Sequence, residues 1–255
     1  MHLARNLSSV KSFVRLSSKI AIEEMSREMN GFVVAPVAGT AIIKSSDNKA
    51  IRQAANLLES GKVIALPTDT VYGLACSAND PKAIQRLYAI KGREERKPVA
   101  ICVAEFDDLR HWGQADHLPN ELLEQLLPGP VTIVVQKSVH LDNPFLNPGV
   151  EKIGIRIPDF DFIRDVSRAF RYPVALTSAN RSSEQSTLNV REFEKLWPML
   201  GAVFDGGQLG LREEQRAAST VIDLSQVGQY KVIREGVAVE HTVRVVEQFG
   251  FKSVV

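Results

Sequence analysis

Short, continuously apolar segments separated by amphipathic ones are the feature that most constrains how this 255-residue chain can fold. Residues 63–66 read Val-Ile-Ala-Leu, and Pro67 ends the run because proline cannot donate a hydrogen bond to a neighbouring strand. A short run that is apolar at every position is typical of a strand buried on both faces. We predict further strands of this kind at 99–103, 131–136, 152–157, 173–177, 202–204, 219–223 and 231–234.

Helical patterns fall between several of these strands, at 119–127, 159–170 and 190–197. Asp47 is a candidate N-cap for an earlier helix that ends near Gly61 and has apolar residues on one face, namely Ala50, Ile51, Ala54, Leu57 and Leu58. Asp80-Pro81 predicts the start of another helix. The alternation predicts an α/β fold, with one domain at 40–245 in which helices flank a twisted mixed sheet.

The amino-terminal segment differs in composition from the rest of the chain. Residues 1–22 contain no acidic residue and four basic ones, Arg5, Lys11, Arg15 and Lys19, although the whole chain has 31 basic and 30 acidic residues. We interpret residues 1–30 as a mitochondrial targeting leader, and a disordered basic tail is the alternative. A start at Met25 or Met29 would skip this segment, so both cytoplasm and mitochondrion are expected locations.

Composition also bounds the function. No stretch approaches the ~18 consecutive apolar residues of a membrane helix. The two cysteines, Cys76 and Cys102, form no metal-binding pattern and are interpreted as reduced thiols. Outside residues 1–22 acidic residues outnumber basic ones, which argues against a surface built mainly for nucleic acid.

Polar side chains follow the predicted strands, where open α/β sheets place their ligands. Residues 67–73 read Pro-Thr-Asp-Thr-Val-Tyr-Gly, residues 91–93 Lys-Gly-Arg, and residues 177–180 Thr-Ser-Ala-Asn. Each motif alone is explained as well by an ordinary turn or a solvated helix end. Arg156 lies inside an apolar strand, so we expect it to face a cavity and an anion, with a structural salt bridge as the alternative.

In this order and spacing, the motifs resemble those of the YrdC-type threonylcarbamoyl-AMP synthase family. The resemblance covers about residues 45–240 and rests on the runs at 67–73, 91–93 and 178–180. It implies a twisted α/β sheet around a large, positively charged cavity that receives ATP and threonine. The chain ends soon after Arg234-Glu235-Gly236, so it resembles the short members of the family, which have a single YrdC-like domain.

The resemblance also implies roles for individual residues. Those implied for threonine are Thr70, Tyr72, Cys102, Arg156, Thr177 and Ser219. Those implied for ATP are Arg93, Lys97, Thr132, Ser178, Asn180, Ser186 and Arg234. The catalytic group would be Lys91, Arg93, Ser178 and Asn180. Two positions depart from the common pattern: Cys102, where many members have histidine, and Lys152, where threonine is frequent.

The implied activity is that of a nucleotidyltransferase that makes L-threonylcarbamoyladenylate and diphosphate from L-threonine, bicarbonate and ATP. Its product would serve threonylcarbamoyladenosine modification of tRNA, by hand-over to a transferase complex and with weak tRNA binding. Mg²⁺ would arrive with ATP, and no metal site is expected in the protein. Lys91 and Arg93 are expected in a polar loop, where cations stabilise charge that develops on phosphates.

Two alternatives stay open at this stage. One is a non-catalytic RNA-binding module of the same fold. The other is a carbamoyl-phosphate-handling domain, since related domains occur in hydrogenase-maturation carbamoyltransferases. Those enzymes are much longer and contain cysteine-rich zinc segments, whereas this chain has two cysteines.

Overall fold

The strands of one mixed sheet form the centre of the protein, whose computed structural model describes residues 39–92 and 98–254. In chain order they are β1 (Ala41–Lys44), β2 (Ile64–Leu66), β3 (Gly73–Ser77), β4 (Ala100–Cys102), β5 (Gly113–Gln114), β6 (Val131–Lys137), β7 (Lys152–Arg156), β8 (Val174–Ser178), β9 (Ala202–Asp205), β10 (Thr220–Asp223), β11 (Gln229–Arg234) and β12 (Lys252–Ser253).

The order across the sheet is β1-β9-β2-β3-β8-β4-β7-β6-β10-β11-β12, with β5 paired to β6 off this path. The sheet is mixed: pairs such as β4 with β7 and β6 with β10 are parallel, whereas pairs such as β3 with β8 and β6 with β7 are antiparallel. Strands distant in sequence are therefore neighbours, and strand ends from several parts of the chain meet at the same place.

Six α-helices flank the sheet in the described part of the chain: α1 (Ala50–Glu59), α2 (Pro81–Lys91), α3 (Phe106–Trp112), α4 (Asn120–Leu126), α5 (Asp161–Phe170) and α6 (Val239–Gln248). Segments Val190–Met199 and Glu213–Ala217 are 3₁₀-helical. The predicted α/β class is confirmed, and each strand predicted from an apolar run is present.

The sequence patterns missed several elements and misjudged two helix features. Strands β1, β3, β5 and β12 and helices α3 and α6 were not predicted. The pattern at 190–197 is 3₁₀ rather than α, because Phe193 has non-helical angles (φ −124°, ψ 26°) and Pro198 lies inside the segment. Asp47 does not cap α1: it accepts a hydrogen bond from the Lys49 amide at 2.8 Å in the preceding turn.

The ends of α2 are as expected. The Asp80 carboxylate accepts hydrogen bonds from the amides of Lys82 and Ala83, Pro81 occupies the first turn, and Gly92 ends the helix in the left-handed conformation (φ 57°). Together these signals fix where Lys91 leaves the helix.

Alternation along the strands divides the sheet into two differently covered faces. One face packs on α2, α3, α4, α6 and the first 3₁₀ segment through residues such as Ile101, Ile133 and Ile155. On the opposite face α1 and α5 cover residues such as Leu66, Ala75 and Phe204. That cover does not extend over β7, β6 and β10, whose side chains on this face line a cavity.

Candidate active site

The cavity over the uncovered part of the sheet has a volume of about 650 Å³. Its floor comes from alternate positions of neighbouring strands, including Ala100, Val134, Gly154 and Val221. Its polar lining residues are Thr68, Tyr72, Thr132, Lys152, Arg156, Thr177, Ser178, Ser219, Asp223 and Arg234. A volume of this size is within the range of small-molecule sites.

Arg156 marks one end of the cavity and is more than nine-tenths buried. It forms an ion pair with the equally buried Asp69 and donates a hydrogen bond to the Thr70 hydroxyl at 3.0 Å. Burial lowers the pKa of Arg156, and the Asp69 charge opposes that shift. Arg156 therefore lines the cavity, as expected, and also forms the salt bridge given as the alternative, while its binding of an anion stays a prediction.

The loop between β2 and β3, which contains the 67–73 motif, is held in place by its own hydroxyl groups. The Thr68 hydroxyl donates to the Val71 carbonyl at 2.7 Å and accepts from the Thr70 amide at 3.2 Å. Thr68 and Thr70 hydroxyls are 3.2 Å apart. The turn expected as the plain explanation of this motif is present, and it presents Asp69 and Thr70 to Arg156.

Thr132 of β6, Ser219 just before β10 and Arg234 of β11 meet beside this end. The Thr132 and Ser219 hydroxyls are 2.9 Å apart, and the Arg234 guanidinium donates to the Ser219 carbonyl at 2.7 Å and to its hydroxyl at 3.0 Å. Burial, and secondly the Arg156 charge, lower the pKa of Arg234. Two guanidinium groups near each other in the same cavity favour the binding of an anion.

Gly236 allows the chain to pass close to this group of residues. A Cβ at position 236 would lie 2.3 Å from the Ser219 carbonyl carbon and from the Thr220 nitrogen, which are backbone atoms. Only glycine permits that approach without displacing Ser219. The Arg-Glu-Gly sequence thus brings Arg234 and Ser219 together.

A second polar group lies at the end of β8. The Lys91 ammonium donates to the Ser178 hydroxyl at 3.1 Å and to the Asn180 side-chain carbonyl at 3.1 Å, and also contacts the Ser178 carbonyl. Ser178 lines the cavity, while Lys91 and Asn180 are buried behind it. The expectation that Lys91 lies in a polar loop is wrong, because Lys91 is the last residue of α2 and only 4% exposed.

Lys152 and Asp223 form the opposite end of the cavity. Their side chains make a salt bridge of 2.8 Å. Lys152 is four residues from Arg156 along β7, a distance of about 13 Å in a strand. The polar ends of the cavity are therefore separated by a largely apolar floor.

The other residues predicted for the site occupy different environments. The Tyr72 phenol faces away from the cations, donating to the Gly207 carbonyl at 2.7 Å and accepting from the Gly206 amide at 2.9 Å. Cys102 is fully buried among the residues under α5, where its thiol lies 3.7 Å from the Ser167 hydroxyl, and it does not line the cavity. Burial raises its pKa to about 12.

Ser186 was also predicted for the site, but it is not among the described residues that line the cavity. Ser186 is half-buried, and its carbonyl accepts a hydrogen bond from Arg216 at 2.8 Å. Arg93 and Lys97 lie outside the described residues. Roles of individual residues in binding and catalysis therefore stay predictions.

Asp69 and Asp223 are the main site residues that sequence reasoning did not assign. Asp69 belongs to the 67–73 motif and Asp223 to the strand predicted at 219–223. A signal for Asp223 was available: positions 221 and 223 alternate along β10 and so share one face of the sheet. No comparable local signal pairs Asp69 with Arg156, because 87 residues separate them.

The charge of the cavity is less one-sided than expected. Its described lining has three cations, Lys152, Arg156 and Arg234, and the first two are paired with Asp223 and Asp69. The positively charged cavity implied by the resemblance stays a prediction. Arg234 is the cavity cation for which the described residues supply no carboxylate within salt-bridge distance.

Membrane-spanning helices and metal-binding clusters are both absent from the part of the chain that the structure covers. Between residues 39 and 254, with 93–97 excepted, no helix has the length and apolar character needed to cross a bilayer. The same residues contain no group of three or more His, Cys, Asp or Glu side chains arranged to hold a metal ion.

Comparisons with known proteins identify relatives of this arrangement. The family model Sua5_yciO_yrdC, described as telomere recombination, matches residues 56–236. A mouse protein named threonylcarbamoyl-AMP synthase is 46% identical over 215 residues, which are 84% of this chain and 76% of the mouse protein. The human protein of that name is 47% identical over 202 residues, covering 78% of this chain and 72% of the human one.

A solved structure supports the same relationship. The crystal structure of Sua5 from Pyrococcus abyssi complexed with L-threonine matches with a TM-score of 0.72 and 27% sequence identity. The match covers 84% of this chain and 62% of the archaeal chain. The chain thus spans less than two thirds of that archaeal protein and about three quarters of the mammalian ones.

Proposed function

This chain belongs to the Sua5/YciO/YrdC family, and from that membership and the cavity we propose that it makes L-threonylcarbamoyladenylate and diphosphate from L-threonine, bicarbonate and ATP. The observation that carries the proposal is the cavity, in which Arg156, Ser219 and Arg234 meet at one end. It combines groups for an amino acid with groups for a polyphosphate in one space.

Threonine is proposed to bind at the Arg156 end. A guanidinium matches a carboxylate in geometry and charge, and Thr70, Thr132 and Ser219 supply hydroxyls that both donate and accept hydrogen bonds. The archaeal relative was crystallised with L-threonine, which supports the same ligand class for this chain. Asp69 restrains Arg156 from one side and leaves its other face toward the cavity.

The nucleotide is proposed to lie along the remaining cavity, with its phosphates near Arg234 and Ser178. In the proposed reaction the threonine amine bonds to the carbon of bicarbonate, and water is lost overall. The resulting carbamate oxygen then attacks the α-phosphorus while the bond to diphosphate breaks. Charge accumulates on phosphate oxygens, so fixed cations and hydroxyl donors would stabilise it. Lys91 would act by holding Ser178 and Asn180 in position.

Magnesium is proposed only as a companion of ATP. The described carboxylates at the cavity, Asp69 and Asp223, are each occupied by a cation, so these residues do not fit a magnesium site of their own. Mg²⁺ commonly binds through substrate phosphates and water. We assign no step to the ion.

The first test is mass spectrometry of the protein incubated with ATP, Mg²⁺, bicarbonate and L-threonine, with diphosphate release followed in parallel. We expect an adenylate whose formation requires both threonine and bicarbonate and falls sharply when serine replaces threonine. ATP-independent RNA binding without any adenylate would instead favour the non-catalytic alternative.

The Lys91→Met variant tests the polar group at the end of β8. Methionine retains most of the side-chain volume but removes the ammonium that holds Ser178 and Asn180, so we expect kcat to fall by about a hundredfold. Far-UV circular dichroism should remain that of the parent protein. Unchanged kcat in a folded variant would remove Lys91 from the proposed machinery.

The wider setting is also proposed from sequence. The acid-free segment 1–22 supports residence in both mitochondrion and cytoplasm, which imaging of reporters fused to residues 1–38, with and without the four basic residues, would test. We also propose that the labile adenylate is handed over to a transferase complex and that the protein binds tRNA weakly. Pull-down with tRNA at two salt concentrations would measure the latter.

A further inference from the structure

The Lys152–Asp223 salt bridge occupies an unusual place in the sheet. Lys152 lies on β7 and Asp223 on β10, and β6 runs between them. Two strand spacings separate the two outer strands by roughly 10 Å, so the two side chains meet above β6, where Asp223 pairs with Val134 and Lys152 with Gln136. The pair lines the cavity at the end opposite Arg156.

Both partners retain hydrogen-bonding capacity toward the cavity. The Asp223 carboxylate accepts one bond from Lys152 and one, at 2.9 Å, from the Ser225 amide. Each carboxylate oxygen has a further lone pair, and the Lys152 ammonium has three N–H donors, of which the salt bridge uses one. Burial opposes ionisation of Asp223, but the Lys152 and Ser225 hydrogen bonds outweigh it and keep its pKa below the ordinary value.

The surroundings of the pair suit a flat, largely apolar group. Val134, Val150 and Val221 line the cavity beside it, and Gly154 has no side chain to fill the space above the sheet. A carboxylate and an ammonium at the edge of such a surface form an adjacent acceptor and donor. Adenine presents the complementary pattern, with an N6 amino donor beside a ring-nitrogen acceptor, whereas a 6-oxopurine presents an oxygen acceptor in place of the amino group.

We propose that Asp223 and Lys152 read the purine base of the nucleotide, with Asp223 accepting from the N6 amino group and Lys152 donating to a ring nitrogen. The inference rests on the proposed function, because it requires that a nucleotide enters the cavity with its phosphates toward Arg234. The separation of about 13 Å from Arg156 leaves room for ribose and phosphate between the base and the amino acid. Asp223 thereby becomes a specificity-determining residue.

Isothermal titration calorimetry with ATP and ITP, in the absence of threonine, tests this assignment. ITP has the same ribose and phosphates but an oxygen at position 6 of the base. We expect the parent protein to bind ATP roughly tenfold to a hundredfold more tightly than ITP. Asp223→Asn should abolish that preference, because an amide both accepts and donates and can serve either base.

Lys152→Met supplies a second, different signature. It should weaken ATP and ITP by similar factors, since a ring-nitrogen acceptor is present in both bases. Glu194→Gln is the matched control for Asp223→Asn, because it also converts a carboxylate to an amide. Glu194 forms an exposed ion pair with Arg191 outside the cavity lining, so this variant should leave both affinities unchanged. Loss of folding would also lower both affinities together, so the far-UV circular dichroism spectrum of each variant must match that of the parent protein before affinities are compared.

Equal binding of ATP and ITP by the parent protein, or an Asp223→Asn variant that keeps the full preference, would overturn the inference. Failure to bind either nucleotide would do the same. This experiment measures binding and is therefore independent of turnover. If the ATP preference depends on Asp223 but no adenylate forms in the mass-spectrometric assay, base reading is supported and the proposed reaction is refuted.

Discussion

At the scale of single residues, Arg156 shows how one side chain serves both structure and binding. An arginine in an apolar strand must be compensated, and Asp69 supplies the charge while Thr70 accepts a further hydrogen bond. The Arg156 Nε and the second Asp69 carboxylate oxygen have no described protein partner. The pair is thus incompletely satisfied by protein groups, as is common where a ligand or water completes a site.

Removing Asp69 should therefore damage stability as well as binding. We expect Asp69→Ala to lower the free energy of unfolding by about 3–5 kcal/mol, because it leaves the buried Arg156 charge without a counter-ion. Urea denaturation followed by circular dichroism measures this difference. Glu194→Ala, which removes a carboxylate from an exposed pair with Arg191, should cost no more than about 1 kcal/mol. Equal effects of the two variants would contradict the role given to Asp69.

Cys102 differs from Arg156, because the resemblance placed it in the threonine pocket but its side chain does not line the cavity. Cys102 shares a strand face with Ala100, which does line the cavity, yet it lies under α5 beside Ser167. Two residues along the strand thus separate Ala100, in the open part of the sheet, from Cys102, in the part that α5 covers. The role of Cys102 in threonine binding stays a prediction.

At the scale of secondary-structure elements, the cavity depends on which strand positions carry small side chains. Gly154 lies in the middle of β7, where a Cβ would approach the Thr132 methyl to 2.9 Å and the Ala100 Cβ to 3.4 Å. A glycine inside a strand often marks a place where something else approaches closely. Here it keeps the floor low between the two polar ends of the cavity.

Filling this position should weaken binding more than it affects the fold. We expect Gly154→Val to reduce affinity for ATP and threonine by at least about tenfold. Overpacking should lower the free energy of unfolding by roughly 1–3 kcal/mol, and the higher strand propensity of valine should offset part of that loss. Gly154→Ala should show a smaller loss in the same direction. Calorimetric titration gives the affinities and thermal unfolding reports on the fold. Full affinity in a folded Gly154→Val variant would show that the ligands do not use the cavity floor.

At the scale of the whole molecule, the two-sided cover of the sheet creates the site. Helices α1 and α5 close one face over β9, β2, β3, β8 and β4, and leave β7, β6 and β10 open. The cavity is therefore the part of an ordinary α/β core that has no helix on it. The relationship to Sua5 of Pyrococcus abyssi, at a TM-score of 0.72, shows that this architecture is shared.

Ion pairs that join distant parts of the chain should make stability depend on pH. Arg216 lowers the pKa of Glu192, and the hydrogen bonds from Lys152 and Ser225 hold that of Asp223 below its ordinary value against the effect of burial. A carboxylate with a lowered pKa in the folded state stabilises fully above its unfolded pKa, and that contribution is lost as the pH falls through the folded value. We expect the urea midpoint to decline between about pH 5 and pH 2.

The Asp223→Asn variant provides the control for this pH dependence. It should start with a lower midpoint at neutral pH and decline less steeply with acid, because one of the linked carboxylates is absent. Parallel profiles for the variant and the parent protein would mean that the Lys152–Asp223 pair contributes nothing to acid sensitivity.

Local sequence patterns and motifs were sufficient to predict the α/β class, most of the strands and the family. Apolar runs, capping residues and turn motifs are local signals, and they act within a few residues of where they are read. The strands that they missed are short or carry weak patterns: β3 reads Gly-Leu-Ala-Cys-Ser, which lacks the β-branched residues that mark the others. The hydroxyl and cationic motifs were likewise visible as residue types suited to anions.

Which of those residues face one another depends on how the strands and helices are arranged in the folded protein. Period-two alternation says that a strand has two faces, but not which face a helix covers, because strand order and helix placement depend on contacts between distant residues. The pairing of Asp69 with Arg156, the bridge from Lys152 to Asp223 above β6 and the burial of Cys102 under α5 all follow from that order. Each joins residues more than 60 positions apart, a separation at which no local pattern carries information.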